Sequence, residues 1–265
     1  MRCGLDDYFP HKESVDQFEK WLSNKYINTV TPFNSPLKTK EIINIPVVFH
    51  IIHRGENLGT GTNLSDEKII EQLQILNEDF RKDNDDQILI PLEFLDLAAD
   101  TEINFVLAKQ DSEGLPSQGI TRQQGKRITY NRYEEEILYA ENYWPAENYL
   151  NIYIADLENY LGWATFPFSD LEGNIETNND RLLDGVAVDY KWLGINENTG
   201  SFNSYGRTLT HEIGHYFGLR HLWGSEQNCG TDDYCRDTPN QSTSCLLYTS
   251  PSPRDATLSR MPSSA

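Results

Sequence analysis

Methionine is nearly absent from this chain: Met1 and Met261 are the only two among 265 residues. Basic side chains are also few, 22 Lys and Arg against 41 Asp and Glu, which leaves a formal net charge of −19. Such a deficit argues against nucleic acid as a partner, since that affinity comes largely from neutralising phosphates. It argues equally against an anionic membrane surface and is compatible with a hard cation such as calcium. No apolar run approaches the roughly 18 residues of a spanning helix, so membrane insertion is not expected. The opening Met1-Arg-Cys-Gly-Leu-Asp-Asp lacks the apolar core of a secretion signal. The chain is therefore either cytosolic or begins downstream of a signal that has been lost. No internal repeat is visible.

Cysteine is scarce too, four in all, yet Cys229, Cys235 and Cys245 crowd into one loop-rich stretch. They lack the Cys-x-x-Cys pair and the nearby spare histidine of a second metal site. Disulfides are the better reading, and they favour a secreted protein. Three is an odd number, so one partner is expected to be missing from the sequence.

Against this sparse background stands Thr208-Leu-Thr-His-Glu-Ile-Gly-His-Tyr-Phe-Gly-Leu-Arg-His221. His211, Glu212, His215, Gly218 and His221 spell His-Glu-x-x-His-x-x-Gly-x-x-His. His211 and His215, four apart, project from one helix face a turn apart, close enough to grip one metal ion. Glu212 sits on the same turn, within reach of a water on that ion. Gly218 takes the left-handed cap conformation without penalty, so the helix stops there and the chain can return with His221 as third ligand. Three neutral imidazoles leave one tetrahedral position open, the arrangement of a catalytic zinc. Five fixed positions seldom recur together by chance. Two histidines on a solvated helix with an unrelated third would leave Gly218 without a reason.

The extended motif resembles that of the metzincin clan of zinc metallopeptidases. Together with His221-Leu-Trp-Gly224 and Asp237-Thr-Pro239 it is similar to the pappalysin family. Ile45-Pro-Val-Val-Phe-His-Ile-Ile-His53, Leu76-Asn-Glu-Asp-Phe-Arg81 and Asn148-Tyr-Leu-Asn-Ile-Tyr153 fit that family as well. The resemblance implies an α+β fold with an α/β-type upper subdomain. Its parts are a twisted, mostly parallel five-stranded sheet, a backing helix and a zinc-binding active-site helix. It implies that Gly162, Trp163 and Ala164 lie on the sheet edge that pairs with an extended protein or peptide substrate. Arg2-Cys3-Gly4 resembles a pro-segment whose cysteine sulfur fills the open zinc position; an unpaired terminal cysteine without a role is the other reading. Calcium is implied near Asp-Thr-Pro, with Asp233 and Asp237 as loosely matching candidates. The family also carries a methionine turn below the zinc. Met261 does not look like it, so the lower subdomain is expected to be largely missing.

Along the chain, 1–40 reads as a pro-segment and linker, with a helix over His11 to Tyr26 anchored by Phe18, Trp21 and Leu22. Residues 41–221 read as the upper catalytic subdomain. Its strands are expected at Ile45–His53, Ile103–Ala108, Tyr149–Ile154, Leu161–Phe166 and Asp184–Asp189. His50 and His53, three apart and so on opposite faces of a strand, read as structural. Ser65 caps a helix with the stripe Ile69, Leu73, Leu76 and Phe80, and a second helix is expected over Tyr130 to Tyr143. Asp83-Asn-Asp-Asp86 reads as a solvated acidic turn. Residues 222–245 open a cysteine-containing lower subdomain. The Ser/Pro-rich, aperiodic 246–265 reads as a non-native or disordered tail.

The expected function is a secreted zinc endopeptidase in which Glu212 is general base to a zinc-activated water. A non-catalytic extracellular binding module using the open sheet edge, or an inactive fragment of such a protease, is the alternative. The intact ligand set and Glu212 weigh against it.

Overall fold

The apolar run from Val47 to Ile52 is buried on both faces, as the centre of a parallel sheet must be. In the computed structural model it lies within β2 (Ile43–His53). The structure describes residues 2–4, 12–29, 41–92, 95, 98–140, 142–166, 181–196, 204–224 and 233–235. Ahead of β2 stand β1 (Arg2–Cys3) and α1 (Lys12–Thr29). After it come α2 (Asp66–Phe80), β3 (Ile103–Leu107), β4 (Ile120–Gln124) and α3 (Glu135–Tyr139). Then follow β5 (Leu150–Ala155), β6 (Tyr160–Ala164), β7 (Val186–Asp189), the short pair β8 (Ile195–Asn196) and β9 (Ser204–Tyr205), and α4 (Arg207–Tyr216).

The main sheet runs β1-β6-β7-β5-β2-β3, with β4 also on β2. Every pairing in it is parallel except β6 with β7. This is the mixed, mostly parallel sheet expected, but with seven strands among the described residues where five were read. The extra strands have a physical origin. β2 is long enough to pair with β3 through Ile43–Val47 and with β4 through Phe49–His53 on the same edge. At the far edge, Arg2–Cys3 adds to β6.

Period-two alternation sorts side chains to two cores. Val47, Phe49 and Ile51 of β2, Ile152 and Ile154 of β5, and Val186 and Val188 of β7 face the helices, packing with Ile69 and Leu76 of α2 and Leu209 and Ile213 of α4. Ile52, Tyr153 and Ala187 point the other way, to Tyr139 and Trp163. His50 is fully buried on that second face, bonded to Thr121 at 2.8 Å and Asn151 at 2.9 Å and stacked on Tyr153. Burial holds its pKa down at about 4.

Ser65 caps α2, accepting from the Lys68 amide. The long helix expected over Tyr130 to Tyr143 is instead a 3₁₀ turn at Arg132–Glu134 followed by the five-residue α3. The Asn131/Glu134 capping box restarts the chain there, so the regular part is short. The acidic turn at 83–86 is not fully solvated: Asp86 receives both guanidinium nitrogens of Arg207, at 2.6 and 2.7 Å. Among the described residues no helix is long and apolar enough to cross a membrane.

Candidate metal centre

α4 places His211 and His215 on one face, with ring centres 4.4 Å apart. The helix closes as a Schellman motif: the Gly218 amide donates to His215 O at 2.8 Å and the Leu219 amide to Gly214 O at 3.0 Å. Gly218 has φ 92°, the positive value that this cap needs. The reversal returns His221 to the helix, and its ring centre lies 4.7 Å from that of His215.

The three Nε2 atoms form a triangle of 2.9, 3.2 and 3.3 Å. Zinc–nitrogen bonds of about 2.0–2.1 Å in a tetrahedron put ligand nitrogens roughly 3.4 Å apart, so these imidazoles fit one zinc. The fit extends to the tautomer. His215 Nδ1 lies 2.7 Å from Leu219 O and donates to it, which leaves Nε2 as an acceptor toward the centre. Burial, then the neighbouring His211 and His221, drives the His215 pKa well down and keeps the ring neutral. Beneath the third imidazole, Trp223 stacks on His221 at 4.4 Å.

Glu212 is fully buried beside this triangle. Cys3 brings its Sγ within 4.8 Å of all three imidazoles, and the thiol donates to Glu212 Oε2 at 3.7 Å. The residues expected to share the centre are thus together. The predicted substrate edge is engaged by the chain itself: Arg2 pairs with Tyr160, Cys3 with Gly162, and the Gly4 amide donates to Gly162 O at 2.9 Å. Trp163 is fully buried in the second core, edge-on to Tyr160, and Ala164 pairs with Val186. Asp233 is buried and accepts from the Cys235 amide at 3.0 Å.

Comparison with known proteins now separates the possibilities. Residues 133–251 match the peptidase M43 family, described as pregnancy-associated plasma protein-A. The chain is 38% identical to mature mirolysin of Tannerella forsythia, solved in complex with a cleaved peptide; the match covers 78% of this chain and 73% of that one, with a TM-score of 0.66. Promirolysin of the same organism is 32% identical over 91% of this chain and 76% of its own, with a TM-score of 0.73. The chain belongs to the pappalysin family of metzincins. An extracellular metalloprotease of Colletotrichum graminicola is 28% identical over 202 residues, 76% of this chain. The pappalysin chain described here spans 59% of the length of that relative and 60% of a second one, from Verticillium alfalfae.

For this pappalysin, several sequence expectations lie outside the described residues: Cys229 and Cys245 of the disulfide set and Asp237 of the calcium pair. Other contributions escaped the sequence reading, which had placed Gly162 only on the substrate edge. Gly162 makes room for Glu212, since a Cβ there would meet Glu212 Cγ and Ala187 O at 2.8 Å. Leu219 contributes only a carbonyl, which no side-chain pattern reports. Trp223 was visible only as part of the family stretch after His221.

Proposed function

We propose that this chain is the catalytic part of an extracellular zinc endopeptidase, built as a latent precursor that Cys3 silences. The triangle of imidazole nitrogens on His211, His215 and His221, with Glu212 buried beside it, carries the reading. Those three residues would hold zinc, which supplies the Lewis acidity that makes a water nucleophilic near neutral pH and steadies negative charge on a carbonyl oxygen. Glu212 takes the proton from the attacking water and returns it to the leaving amine, working as base and then acid. Burial beside the imidazoles keeps that carboxylate from bulk water during the transfer. The backbone of Gly162, Trp163 and Ala164 receives the substrate as an added strand, which orients the scissile carbonyl.

Latency follows from the occupants. The Cys3 thiol stands where a water would have to approach Glu212, and Arg2–Cys3 takes up the edge that a substrate strand would need. The relatives named extracellular metalloproteases support the compartment and the reaction class. The reading extends to calcium at Asp233 and Asp237 and to disulfides among Cys229, Cys235 and Cys245.

The test compares Cys3→Ala, which unlatches the site, with Cys3→Ala carrying Glu212→Gln or His215→Ala. Cys3→Ala should retain one zinc per chain after dialysis and cleave an unfolded protein in a chelator-sensitive way. Adding Glu212→Gln should keep the zinc and lower turnover by about 10²- to 10⁴-fold; adding His215→Ala should lose the zinc. Undiminished cleavage in the Glu212→Gln form ends the reading, and zinc binding without any cleavage in Cys3→Ala favours the binding module. For calcium, the melting temperature of the parent should rise when the ion is added back after chelation, and Asp233→Asn should abolish that rise.

A further inference from the structure

Arg220 stands in the metal motif between Leu219, whose carbonyl holds His215, and His221, yet nothing in the proposed chemistry uses it. Its side chain is 6% exposed and enters a cluster assembled from distant parts of the chain. Its Nε donates to Glu19 Oε1 at 2.6 Å. The guanidinium carbon lies 5.1 Å from the ring centre of Phe166, 5.6 Å from that of Tyr234 and 6.0 Å from that of Phe18. Phe18 meets Phe166 edge to face at 5.7 Å, and the Tyr234 hydroxyl donates to Asp16 Oδ1 at 2.7 Å.

The cluster divides cleanly. Asp16, Phe18 and Glu19 belong to α1, with Asp16 and Glu19 three apart and therefore on one helix face. Phe166, Arg220 and Tyr234 belong to the part of the chain that carries the metal motif. A cation walled by aromatic rings is attracted to their faces and, being largely desolvated, needs an anion. Such a socket selects a helix face that offers carboxylates and an aromatic ring together, and a face presenting a cation there would be repelled by it. The same packing covers the Cys3 strand, since Cys3 rests against the Phe18–Phe166 pair.

We propose that Phe166, Arg220 and Tyr234 form a receptor for a helix face that carries carboxylates beside an aromatic ring, filled here by Asp16, Phe18 and Glu19 of α1, and that seating this helix is a second latch over the metal site, separate from the Cys3 thiol. Its regulatory meaning rests on the latent-protease reading; the receptor itself does not. Because Arg220 is covalently next to His221, the socket also anchors the returning loop that delivers the third imidazole. Two attachments of different chemistry then hold the N-terminal segment, a thiol at the imidazoles and an ion pair in an aromatic box.

Hydrogen exchange on the full chain separates them, comparing the parent with Cys3→Ser, Glu19→Gln and Tyr234→Phe. In Glu19→Gln the amides of residues 12–29 should exchange roughly tenfold faster or more, the loss expected for one charge-assisted bond. Tyr234→Phe should act in the same direction to a smaller extent. Cys3→Ser should leave α1 within about twofold of the parent, and β2 should keep its protection in every form. Unchanged α1 exchange in both Glu19→Gln and Tyr234→Phe overturns the proposal, as does equal loss of α1 protection in Cys3→Ser. If Glu19→Gln loosens β2 as well, the Tyr234→Phe result decides. Exchange needs no turnover, so a chain that never cleaves a peptide can still show the latch, and an active protease can still lack it.

Discussion

Gly162 shows how little space the centre leaves at the scale of one residue. Its Cα lies against Glu212, and a methyl there would sit 2.8 Å from Glu212 Cγ and from the Ala187 carbonyl oxygen, with Glu212 Oε1 at 3.0 Å. The carbonyl belongs to a paired strand and cannot retreat, so the strain would fall on the carboxylate. Gly162→Ala should therefore lower turnover by roughly tenfold or more while zinc binding persists, with a stability loss of about 1–3 kcal/mol from overpacking. Activity and zinc content measured on the Cys3→Ala background check this, and an unchanged rate would show that Glu212 has more freedom than the contact implies. The imidazoles and Glu212 were legible because helix geometry brings His211 and His215, four apart, together, and the glycine stop at Gly218 lets the chain return with His221. The closeness of Gly162 to Glu212 and the role of Arg220 were not. Their meaning depends on partners such as Glu19, 201 positions from Arg220 in the chain.

Among elements, the tie between α2 and α4 fixes where the imidazoles point. Arg207 bridges Asp86 and Asp79, the latter at 3.2 Å, and Thr210 donates to Asp79 at 2.8 Å. Burial pushes the Asp79 pKa up, and the Arg207 charge opposes that rise. Buried Gln72 adds a second tie, donating to Gly206 O at 2.8 Å and accepting from the Gly194 amide at 2.7 Å. Arg207→Ala leaves two poorly hydrated carboxylates facing each other. It should cost about 3 kcal/mol, read as a lower denaturation midpoint at an unchanged slope. A loss below roughly 0.5 kcal/mol would place the ion cluster among the many that contribute little. The apolar stripe of α2 was legible from its period. Gln72 on its buried side was not, because a polar residue is admitted there only by the backbone groups of a loop far along the chain.

Over the whole molecule, a histidine in the centre of the sheet gives the fold one source of pH dependence. His50, buried between β4 and β5 with Thr121 and Asn151 as partners, has its pKa held at about 4 against an ordinary 6.5. The unfolded chain binds a proton at the higher value and the folded one only at the lower. Stability is therefore full above about 6.5, falls as pH drops toward about 4 and then levels, by at most about 3 kcal/mol from this group. Comparing urea midpoints of the parent and His50→Asn from pH 7 to pH 4 isolates that share. The variant should lose less stability across the interval, and parallel curves would show that His50 is not the titrating group.

The sequence by itself determined what depends on short spacing: the metal motif, the glycine stop after α4, the capped stripe of α2 and the apolar strands. These follow from backbone periodicity, which is the same in any fold. Tertiary structure alone decided what depends on distant pairing. It split the edge of β2 between two strands, seated Arg2–Cys3 on β6, turned Asp86 to Arg207 and closed the aromatic socket around Arg220. Which of many compatible surfaces meet is settled by the packing of the whole chain, and no local pattern records it.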